Sequence, residues 1–294
     1  MQKLLFIVNP IAGTKSKEQI LKLLDTIPTK GQFQVEISQT HAKGDATQFA
    51  RGTNADVIVA IGGDGTVHEV ASGILGSNKT LGIIPCGSGD GLALHLGISR
   101  KPQIAIDALL NGRIECIDYG TINGQVPFFC TAGVGLDADV AWAFANNNRR
   151  GLWSYIFLAW KIWRHSKPQD YVVEIDKKKM SVKAVLITVG NANQWGNQAR
   201  ITSLASVQDG MLDACIVEPF KTIEIPILAI ELLTGHAHKS RRVHMSRGKE
   251  IFIHRQQEGP IHFDGNPYMM GADIQFTTEQ SALSVIVPVS KHSI

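Results

Sequence analysis

The first 115 residues of the chain alternate between strand-like and helix-like patterns of apolar residues. Apolar runs, most of them rich in β-branched residues, predict strands at 4–8, 33–38, 57–61 and 81–85. Apolar residues at helical spacing predict helices at 17–27, 46–52, 67–76 and 102–111. This alternation is typical of a doubly wound α/β domain with a parallel sheet.

The pattern changes after Gly112. Short β-rich runs separated by turn residues predict strands at 114–122, 126–131, 171–175, 181–189, 211–217, 242–245, 250–255, 261–263 and 272–276. Two helices are predicted among them, at 152–165 and 222–234. A second domain that is mainly an antiparallel β-sandwich is therefore expected at 123–282, after an α/β domain at 1–122.

Glycine-rich loops follow three of the predicted strands. The run at 57–61 ends at Gly62-Gly63-Asp64-Gly65-Thr66, and a helix pattern begins there. Glycines let a ligand approach the backbone, and the N-terminus of a helix attracts an anion such as phosphate. A carboxylate among phosphates commonly organises a magnesium ion or deprotonates a hydroxyl. This turn therefore predicts phosphate chemistry on a nucleotide.

Two further strand ends carry similar loops. The strand at 4–8 leads into Asn9-Pro10-Ile11-Ala12-Gly13, and the strand at 81–85 leads into Cys86-Gly87-Ser88-Gly89-Asp90-Gly91. The carboxyl ends of parallel strands form the ligand crevice of an open α/β sheet. We expect the three loops to converge on one ligand there. Asp90 is a candidate metal ligand, but the cap of the following helix is the better interpretation.

These motifs resemble the diacylglycerol kinase catalytic family, which includes bacterial lipid kinases and sphingosine kinases. The Asn-Pro-x-x-Gly opening, the GGDGT turn and the Ile-Pro-x-Gly-Ser-Gly loop occur here in the family's order. Thr40 with Gly44-Asp45-Ala46 resembles the family's intervening segment. Later matches lie in the second domain, at 129–138, 196–205, 208–213 and 262–266, so the resemblance extends along essentially the whole chain. In this family the end of the chain returns to the first domain, which we expect for 283–294.

Composition and charge agree with an ordinary globular protein. The chain has 294 residues, a formal net charge of +3, 44% hydrophobic and 19% charged residues. This charge is too small to indicate nucleic-acid binding. Its four cysteines lack metal-ligand spacing and predict reduced thiols, as in a cytoplasmic protein. Neither a leader sequence nor an apolar stretch of about 18 residues is present in the given sequence, so we expect no transmembrane segment.

The resemblance implies ATP and Mg²⁺ as cofactors and a lipid with a hydroxyl group, of the diacylglycerol or sphingoid-base type, as the acceptor. It places ATP in a cleft between the two domains. The residues implied in ATP binding are Asn9, Pro10, Gly13, Thr40, Gly62, Gly63, Asp64, Gly65, Thr66, Glu69, Gly87, Ser88, Arg149, Arg150 and Asn266. Arg149 and Arg150 are equally well explained as part of a solvated basic loop.

Two carboxylates compete for the role of catalytic base. The resemblance places Asp64 at the catalytic centre, and Asp264 lies in the loop that matches Asp-Gly-Glu of the family. Asn266 stands where the family has glutamate, and an amide does not accept a proton near neutral pH. The base is therefore expected to be Asp264 or Asp64. An aspartate before glycine is also commonly a structural turn residue.

The resemblance also implies substrate and metal residues in the second domain. Asp137 and Asp139 resemble acidic residues that meet the polar head of the lipid. Asp209, with backbone carbonyls such as those of Ser206 and Met211, resembles a site for a structural magnesium ion. An Asp-Gly turn forms without a metal as well, so both interpretations stay open.

The tryptophan-rich stretch at 152–164 has two interpretations. Its flanking Lys161 and Arg164 fit an interfacial helix, and apolar helical stretches more often form core. The expected location is the cytoplasm, with peripheral contact at the inner face of the membrane, and a homodimer through edge strands stays open. Two alternative functions remain. One is a kinase of the NAD kinase type, which shares a GGDGT turn, and the other is a nucleotide- or lipid-binding regulator that has lost catalysis.

Overall fold

A computed structural model of the protein describes residues 2–10, 20, 22, 24, 33–145, 152–196 and 199–289, with the backbone alone at 152–156. The chain divides into two compact units. Unit 1 comprises residues 1–117 and 281–294, and unit 2 comprises residues 118–280. The chain passes between the units within two strands, β5 (Arg113–Ile122) and β16 (Asp273–Val287).

Unit 1 contains a parallel sheet. Its strands lie in the order β2 (Phe33–Gln39), β1 (Gln2–Val8), β3 (Val57–Gly62), β4 (Thr80–Pro85) and the end of β16. Every residue of β3 and β4 is buried. A strand covered on both faces needs a continuous apolar run instead of an alternating one, which is the pattern seen in their sequences.

Four described helices belong to this unit: α1 (Asp45–Gly52), α2 (Asp64–Ile74), α3 (Gly91–His95) and α4 (Pro102–Asn111). The second begins at Asp64, three residues earlier than the pattern predicts. Gly63 occupies its N-cap, and the backbone N–H groups of Thr66 and Val67 both donate to the Gly63 carbonyl, at 3.0 and 3.1 Å. The last three residues of the GGDGT motif thus form the first turn of the helix. Most of the predicted helix at 17–27 lies outside the described residues.

Unit 2 contains a six-stranded antiparallel sheet. Its order is β12 (Val243–Gly248), β11 (Leu212–Val217), β10 (Leu186–Gly190), β7 (Thr131–Gly135), β14 (Gly259–Phe263) and β15 (Asn266–Met270). Three further helices are described: α5 (Leu136–Ala145), α6 (Leu152–Trp163) and α7 (Ile225–Leu233). The sequence predicted the second and third of these but not α5, which begins directly after Gly135, the last residue of β7.

A second antiparallel layer completes the sandwich. It consists of the first part of β16 with β13 (Glu250–Arg255), β8 (Gln169–Ile175) and β9 (Lys178–Ala184), and of β5 with β6 (Val126–Phe128). The core between the layers includes Phe128 and Phe276, whose rings meet edge to face with centroids 6.1 Å apart. The predicted fold class, a doubly wound α/β domain followed by a β-sandwich, is confirmed.

One predicted strand is divided in the structure. The run at 181–189 belongs to β9 up to Ala184 and to β10 from Leu186 onward, and these strands lie in different layers. Residues on both sides of the break contribute apolar side chains to the same core, so the apolar pattern does not show where the chain moves from one layer to the other. Among the described residues, none of the helices combines the length and the apolar character that a bilayer crossing needs.

Arg255 joins the ends of the β14–β15 hairpin. Its buried guanidinium donates hydrogen bonds to four carbonyl oxygens, those of Gly259, Pro260, Met270 and Gly271. A lysine ammonium has no planar fork and reaches fewer acceptors in this arrangement. Replacing Arg255 by lysine therefore removes several of these hydrogen bonds.

We predict that Arg255→Lys lowers the free energy of unfolding by about 2–4 kcal/mol, because several charge-assisted hydrogen bonds are lost. Urea unfolding followed by circular dichroism measures this value. Arg113→Lys is the matched control, since Arg113 makes an exposed ion pair with Glu115. Equal effects of the two substitutions would contradict the anchoring role of Arg255.

Candidate functional site

Asp64 connects the GGDGT turn to the loop that follows β4. One of its carboxylate oxygens accepts the backbone N–H of Asp90 at 2.9 Å, and the other accepts that of Gly91 at 2.7 Å. These donors lie at the start of α3, so the carboxylate of one loop caps the helix that follows the other. Asp64 is half-buried, and its orientation is fixed by these two bonds.

The two loops also touch through their backbones. A Cβ atom on Gly63 would lie 3.1 Å from the Cα of Gly87, and a Cβ atom on Gly87 would lie 2.6 Å from the Cα of Gly63. The Gly62 carbonyl accepts the N–H of Cys86 at 2.8 Å. Only glycine permits this approach, because any side chain at position 87 would meet main-chain atoms that cannot rotate away.

Asp90 is buried and does not cap α3 with its side chain, so the capping interpretation was wrong. Its carboxylate instead accepts the N–H of Gly87 at 2.9 Å and the Nε–H of Arg100 at 3.1 Å. Burial raises the pKa of Asp90, and the guanidinium opposes this shift. Arg100 also donates to the carbonyls of Ser88 and Gly89. Asp90 and Arg100 together therefore hold the loop in shape.

The other predicted nucleotide residues of unit 1 lie at the same end of the sheet. Asn9 Nδ2 donates to Thr66 Oγ1 at 3.3 Å, and the N–H of Thr40 donates to the Val8 carbonyl at 2.9 Å. Glu69 accepts the N–H of Gly44 at 3.0 Å. Pro10 and Ser88 are exposed. The predictions at Gly13, Arg149 and Arg150 fall outside the described residues.

In unit 2, the carboxylate of Asp264 is held by backbone groups. It accepts the N–H groups of Phe129 at 2.9 Å, Cys130 at 2.8 Å and Thr131 at 3.2 Å. Its own N–H donates to the Thr131 carbonyl at 2.8 Å. Asp264 is buried and adopts a left-handed backbone conformation, with φ of 46°. These contacts fit a residue that positions the turn before Asn266, the first residue of β15.

Asp137 lies in a buried polar cluster. Its carboxylate accepts the hydroxyl of Thr188 at 2.7 Å and the backbone N–H of Ala138 at 2.8 Å, and lies 3.0 Å from Nε2 of His262. Thr188 and His262 both pair with Gly133 across neighbouring strands. A Cβ atom on Gly133 would come within 2.5 Å of Asp137 Oδ2, so glycine makes room for the cluster.

Asp139, the second predicted substrate residue, lies two positions further along α5. Burial and the neighbouring charge of Asp137 raise the pKa of Asp139, and Arg255 acts in the opposite direction. The sequence did not indicate roles for Thr188 and His262. A polar residue in the middle of a fully apolar strand was the one available signal for Thr188.

The loop predicted to bind magnesium contains an ion cluster. Asp209 accepts the N–H of Met211 at 3.1 Å, and the guanidinium of Arg247 lies against its other oxygen. Arg247 also contacts the buried Asp213, its cross-strand partner, at 3.2 Å. Arg247 thus lies against one carboxylate oxygen of Asp209, and the other oxygen accepts a backbone N–H group. Magnesium at Ser206, Asp209 and Met211 stays an untested prediction.

Comparison with known proteins identifies the family of this chain. The family model "Diacylglycerol kinase catalytic domain" matches residues 3–122. The model "YegS C-terminal NAD kinase beta sandwich-like domain" matches residues 130–287, which is more than half of the chain. The chain belongs to the diacylglycerol kinase family. This is a family of lipid kinases, and its members are phosphotransferases.

Two curated bacterial relatives of this family member are named diacylglycerol kinase. The Bacillus subtilis (strain 168) protein is 27% identical over 90% of each chain. The Staphylococcus saprophyticus protein is 26% identical over 88% of this chain and 87% of its own. A crystal structure of a putative diacylglycerol kinase from Bacillus anthracis str. Sterne has a TM-score of 0.79 at 24% identity, covering 98% of this chain and 97% of that one. That structural likeness supports the shared fold.

We predict that Gly87→Ala lowers the free energy of unfolding of this kinase by about 1–3 kcal/mol, because the new methyl group would overlap the backbone at Gly63. Gly65→Ala is the matched control in the same turn, since a Cβ atom at Gly65 meets nothing within 4 Å. Thermal unfolding of both variants measures the effect. A loss of equal size in Gly65→Ala would show that the contact between the loops is not the cause.

Arg247→Ala is expected to show a pH-dependent loss of stability. Burial raises the pKa of Asp213 to about 6, and Arg247 opposes that shift. The carboxyl group of Asp213 therefore binds its proton more tightly in the folded state than in the unfolded state. Its contribution to the free energy of unfolding falls as the pH rises toward 6. Above pH 6 the variant would leave a buried carboxylate without its partner, and we expect a loss of about 1–3 kcal/mol. At about pH 5 the loss should be smaller, because Asp213 is mostly protonated.

Urea unfolding at the two pH values measures this difference. Arg242→Ala is the control, because Arg242 pairs with Glu224 at the surface of the same unit. A loss in Arg247→Ala that does not depend on pH would argue against the role of Asp213. Adding Mg²⁺ to Arg247→Ala also tests the metal prediction. If Mg²⁺ raises the free energy of unfolding of Arg247→Ala but not that of the wild-type protein, the guanidinium occupies the position of the cation.

Proposed function

We propose that this chain transfers the γ-phosphoryl group of ATP to a lipid hydroxyl, with diacylglycerol or a sphingoid base as the acceptor class. The observation that carries the proposal is the junction of the two glycine-rich loops, in which Asp64 bonds to Asp90 and Gly91 while Gly63 and Gly87 touch. Sequence similarity to proteins named diacylglycerol kinase supports a diacylglycerol over other acceptors.

The loops of unit 1 are suited to binding phosphate groups. α2 begins within the GGDGT turn, so N–H groups at the N-terminus of this helix are the proposed phosphate donors. Asn9 donates to the hydroxyl oxygen of Thr66, and the bond turns the hydroxyl hydrogen away from Asn9. The exposed Ser88 supplies a further hydroxyl. Phosphoryl transfer relies on such positioning and on charge stabilisation more than on covalent chemistry.

We assign the proton-accepting role to Asp64. Its carboxylate is held in place by two backbone bonds, so little reorganisation is needed when the acceptor hydroxyl binds. A carboxylate oxygen accepts more than one hydrogen bond, so these bonds leave the role open to Asp64. Asp90 is less suited to it, because Arg100 balances its charge. Mg²⁺ bound with the nucleotide would neutralise negative charge on the phosphates.

Asp264 is assigned a positioning role. Three backbone N–H groups converge on its buried carboxylate and fix the turn that leads to Asn266. Asn266 is proposed to accept a hydrogen bond from the nucleotide, for instance from a ribose hydroxyl, because an amide oxygen is an acceptor without being a base. The proposal also includes peripheral contact with the membrane that holds the lipid.

A catalytically impaired regulator is the second candidate, and Asn266 is the observation that favours it. The two functions are separated by assaying purified protein with ATP and Mg²⁺ against diacylglycerol, monoacylglycerol, ceramide and sphingosine, with NAD as a control acceptor. A phosphorylated lipid supports the kinase. Nucleotide binding without any product, together with product formation by Asn266→Glu, would support the regulator instead.

We predict that Asp64→Asn lowers kcat for lipid phosphorylation by about 10²–10⁴-fold, the usual contribution of a positioned general base. Asp264→Asn should lower thermal stability but reduce kcat less than about tenfold at a temperature where the variant is folded, because a positioning residue acts through other groups. Steady-state kinetics with a thermal-unfolding check on each variant measure both effects. The reverse order of the two kcat values would assign the base to Asp264.

A further inference from the structure

Helix α7 of unit 2 presents an apolar surface to solvent. Together with the preceding 3₁₀ turn (Thr222–Glu224), it places four large aliphatic side chains on the outside. Their exposed fractions are 81% for Ile223, 60% for Ile227, 61% for Ile230 and 58% for Leu233. We call these four residues the aliphatic face. Their spacing of three or four residues puts them on one side of the helix.

The opposite side of the helix packs against the core of unit 2. Leu228 and Leu232 pack against a buried cluster that contains Leu186, Cys215 and Val217. A helix at the surface of a globular domain normally carries polar residues on its outer side. In α7 the one charged residue is Glu231, which is partly buried. The aliphatic face therefore contributes nothing to the folded core, and its exposure needs another explanation.

The surroundings of the aliphatic face are basic. The segment that follows α7, at 235–244, contains Lys239, Arg241, Arg242 and three histidines but no acidic residue. Lys239 and Arg241 are exposed, as is Lys221 directly before the 3₁₀ turn. Of the nearby acidic residues, Glu224 pairs with Arg242, and Glu218 lies 2.8 Å from Nε2 of His244, a ring that carries charge only when protonated. Three exposed cationic side chains, Lys221, Lys239 and Arg241, therefore flank the aliphatic face along the chain.

An apolar helix face with a basic rim is the chemistry that recognises an anionic lipid surface. Each of the four side chains is more than half exposed, so they do not form a groove that would hold a protein segment. The face also lacks tryptophan, tyrosine and arginine, which dominate the binding energy of protein interfaces. A fluid hydrocarbon surface requires no such shape complementarity, and simple aliphatic side chains are sufficient for insertion.

We propose that the aliphatic face of α7 inserts into the surface of an anionic bilayer, with Lys221, Lys239 and Arg241 contacting lipid headgroups. This inference rests on the proposed function in one respect, since an enzyme whose acceptor is a lipid must reach a membrane. Binding to vesicles is measured without ATP and without turnover. The two proposals can therefore fail separately.

The test is co-sedimentation of the full chain with vesicles of phosphatidylcholine, with or without phosphatidylglycerol. The wild-type protein should sediment with the anionic vesicles, and added salt should weaken the binding. Ile227→Gln/Ile230→Gln should bind at least about tenfold more weakly, because two inserted side chains lose their burial. Lys239→Gln/Arg241→Gln should lose the preference for phosphatidylglycerol. Ile114→Gln, which changes an equally exposed isoleucine of unit 1, should bind like wild type.

Folding and oligomeric state are checked on the same samples. Circular dichroism and thermal unfolding should be unchanged in the glutamine variants, and Ile223→Gln/Leu233→Gln is a second pair if the first does not fold. Activity toward a detergent-dispersed acceptor should be retained, because no residue of the face has been placed at the reaction site. Vesicle binding with no phosphorylated product would leave this inference standing and overturn the proposed function.

Three results would overturn the inference. One is absence of wild-type binding to anionic vesicles, and another is binding equal to wild type by both Ile227→Gln/Ile230→Gln and Ile223→Gln/Leu233→Gln. The third is a wild-type dimer in sedimentation equilibrium that becomes a monomer in Ile227→Gln/Ile230→Gln. That result would assign the aliphatic face to contact between two copies of this chain.

Discussion

The close approach of Gly63 and Gly87 is the constraint on which the candidate site depends. β3 and β4 are neighbours in a parallel sheet, so their loops leave the sheet side by side. The sheet alone would leave room for side chains between them. The absence of Cβ atoms at these two positions closes that space, and Asp64 then bonds the two loops together. The surface that we propose for phosphate binding is formed by backbone atoms that are already fixed without a ligand.

Carboxylates fasten loops throughout this protein. Asp64 and Asp90 hold the loops of unit 1, and Asp264 collects three backbone N–H groups in unit 2. Asp137 is enclosed by a threonine hydroxyl and a histidine ring. An aspartate that holds a loop in this way can act as a catalytic base only if the hydrogen bonds to its carboxylate leave an oxygen able to accept a proton. This requirement separates the half-buried Asp64 from the buried Asp264 and is the reason for assigning them different roles.

Unit 2 contains two groups of apolar side chains, one buried in the core and one exposed to solvent. The layers of the sandwich enclose a core in which Phe128 and Phe276 are fully buried. The outer side of α7 leaves isoleucine and leucine side chains in water, where they make no contribution to folding. Such exposure lowers solubility, so its presence beside a basic segment is most simply explained by a surface that removes the residues from water. A lipid kinase has a water-insoluble substrate, which is consistent with this arrangement.

Local sequence patterns predicted much of the fold and named the residues of the candidate site. Continuous apolar runs predicted β1, β3 and β4, because strands buried on both faces need no polar alternation, and glycine-rich strand ends marked the candidate phosphate loops. Local patterns could not show that the run at 181–189 changes layers or that α5 follows β7. They also could not show which atoms Asp64, Asp90 and Asp264 bond to, or that Thr188 and His262 meet Asp137. Those partners are far apart along the chain. Their contacts are fixed by strand order and register, and only the tertiary structure decides these.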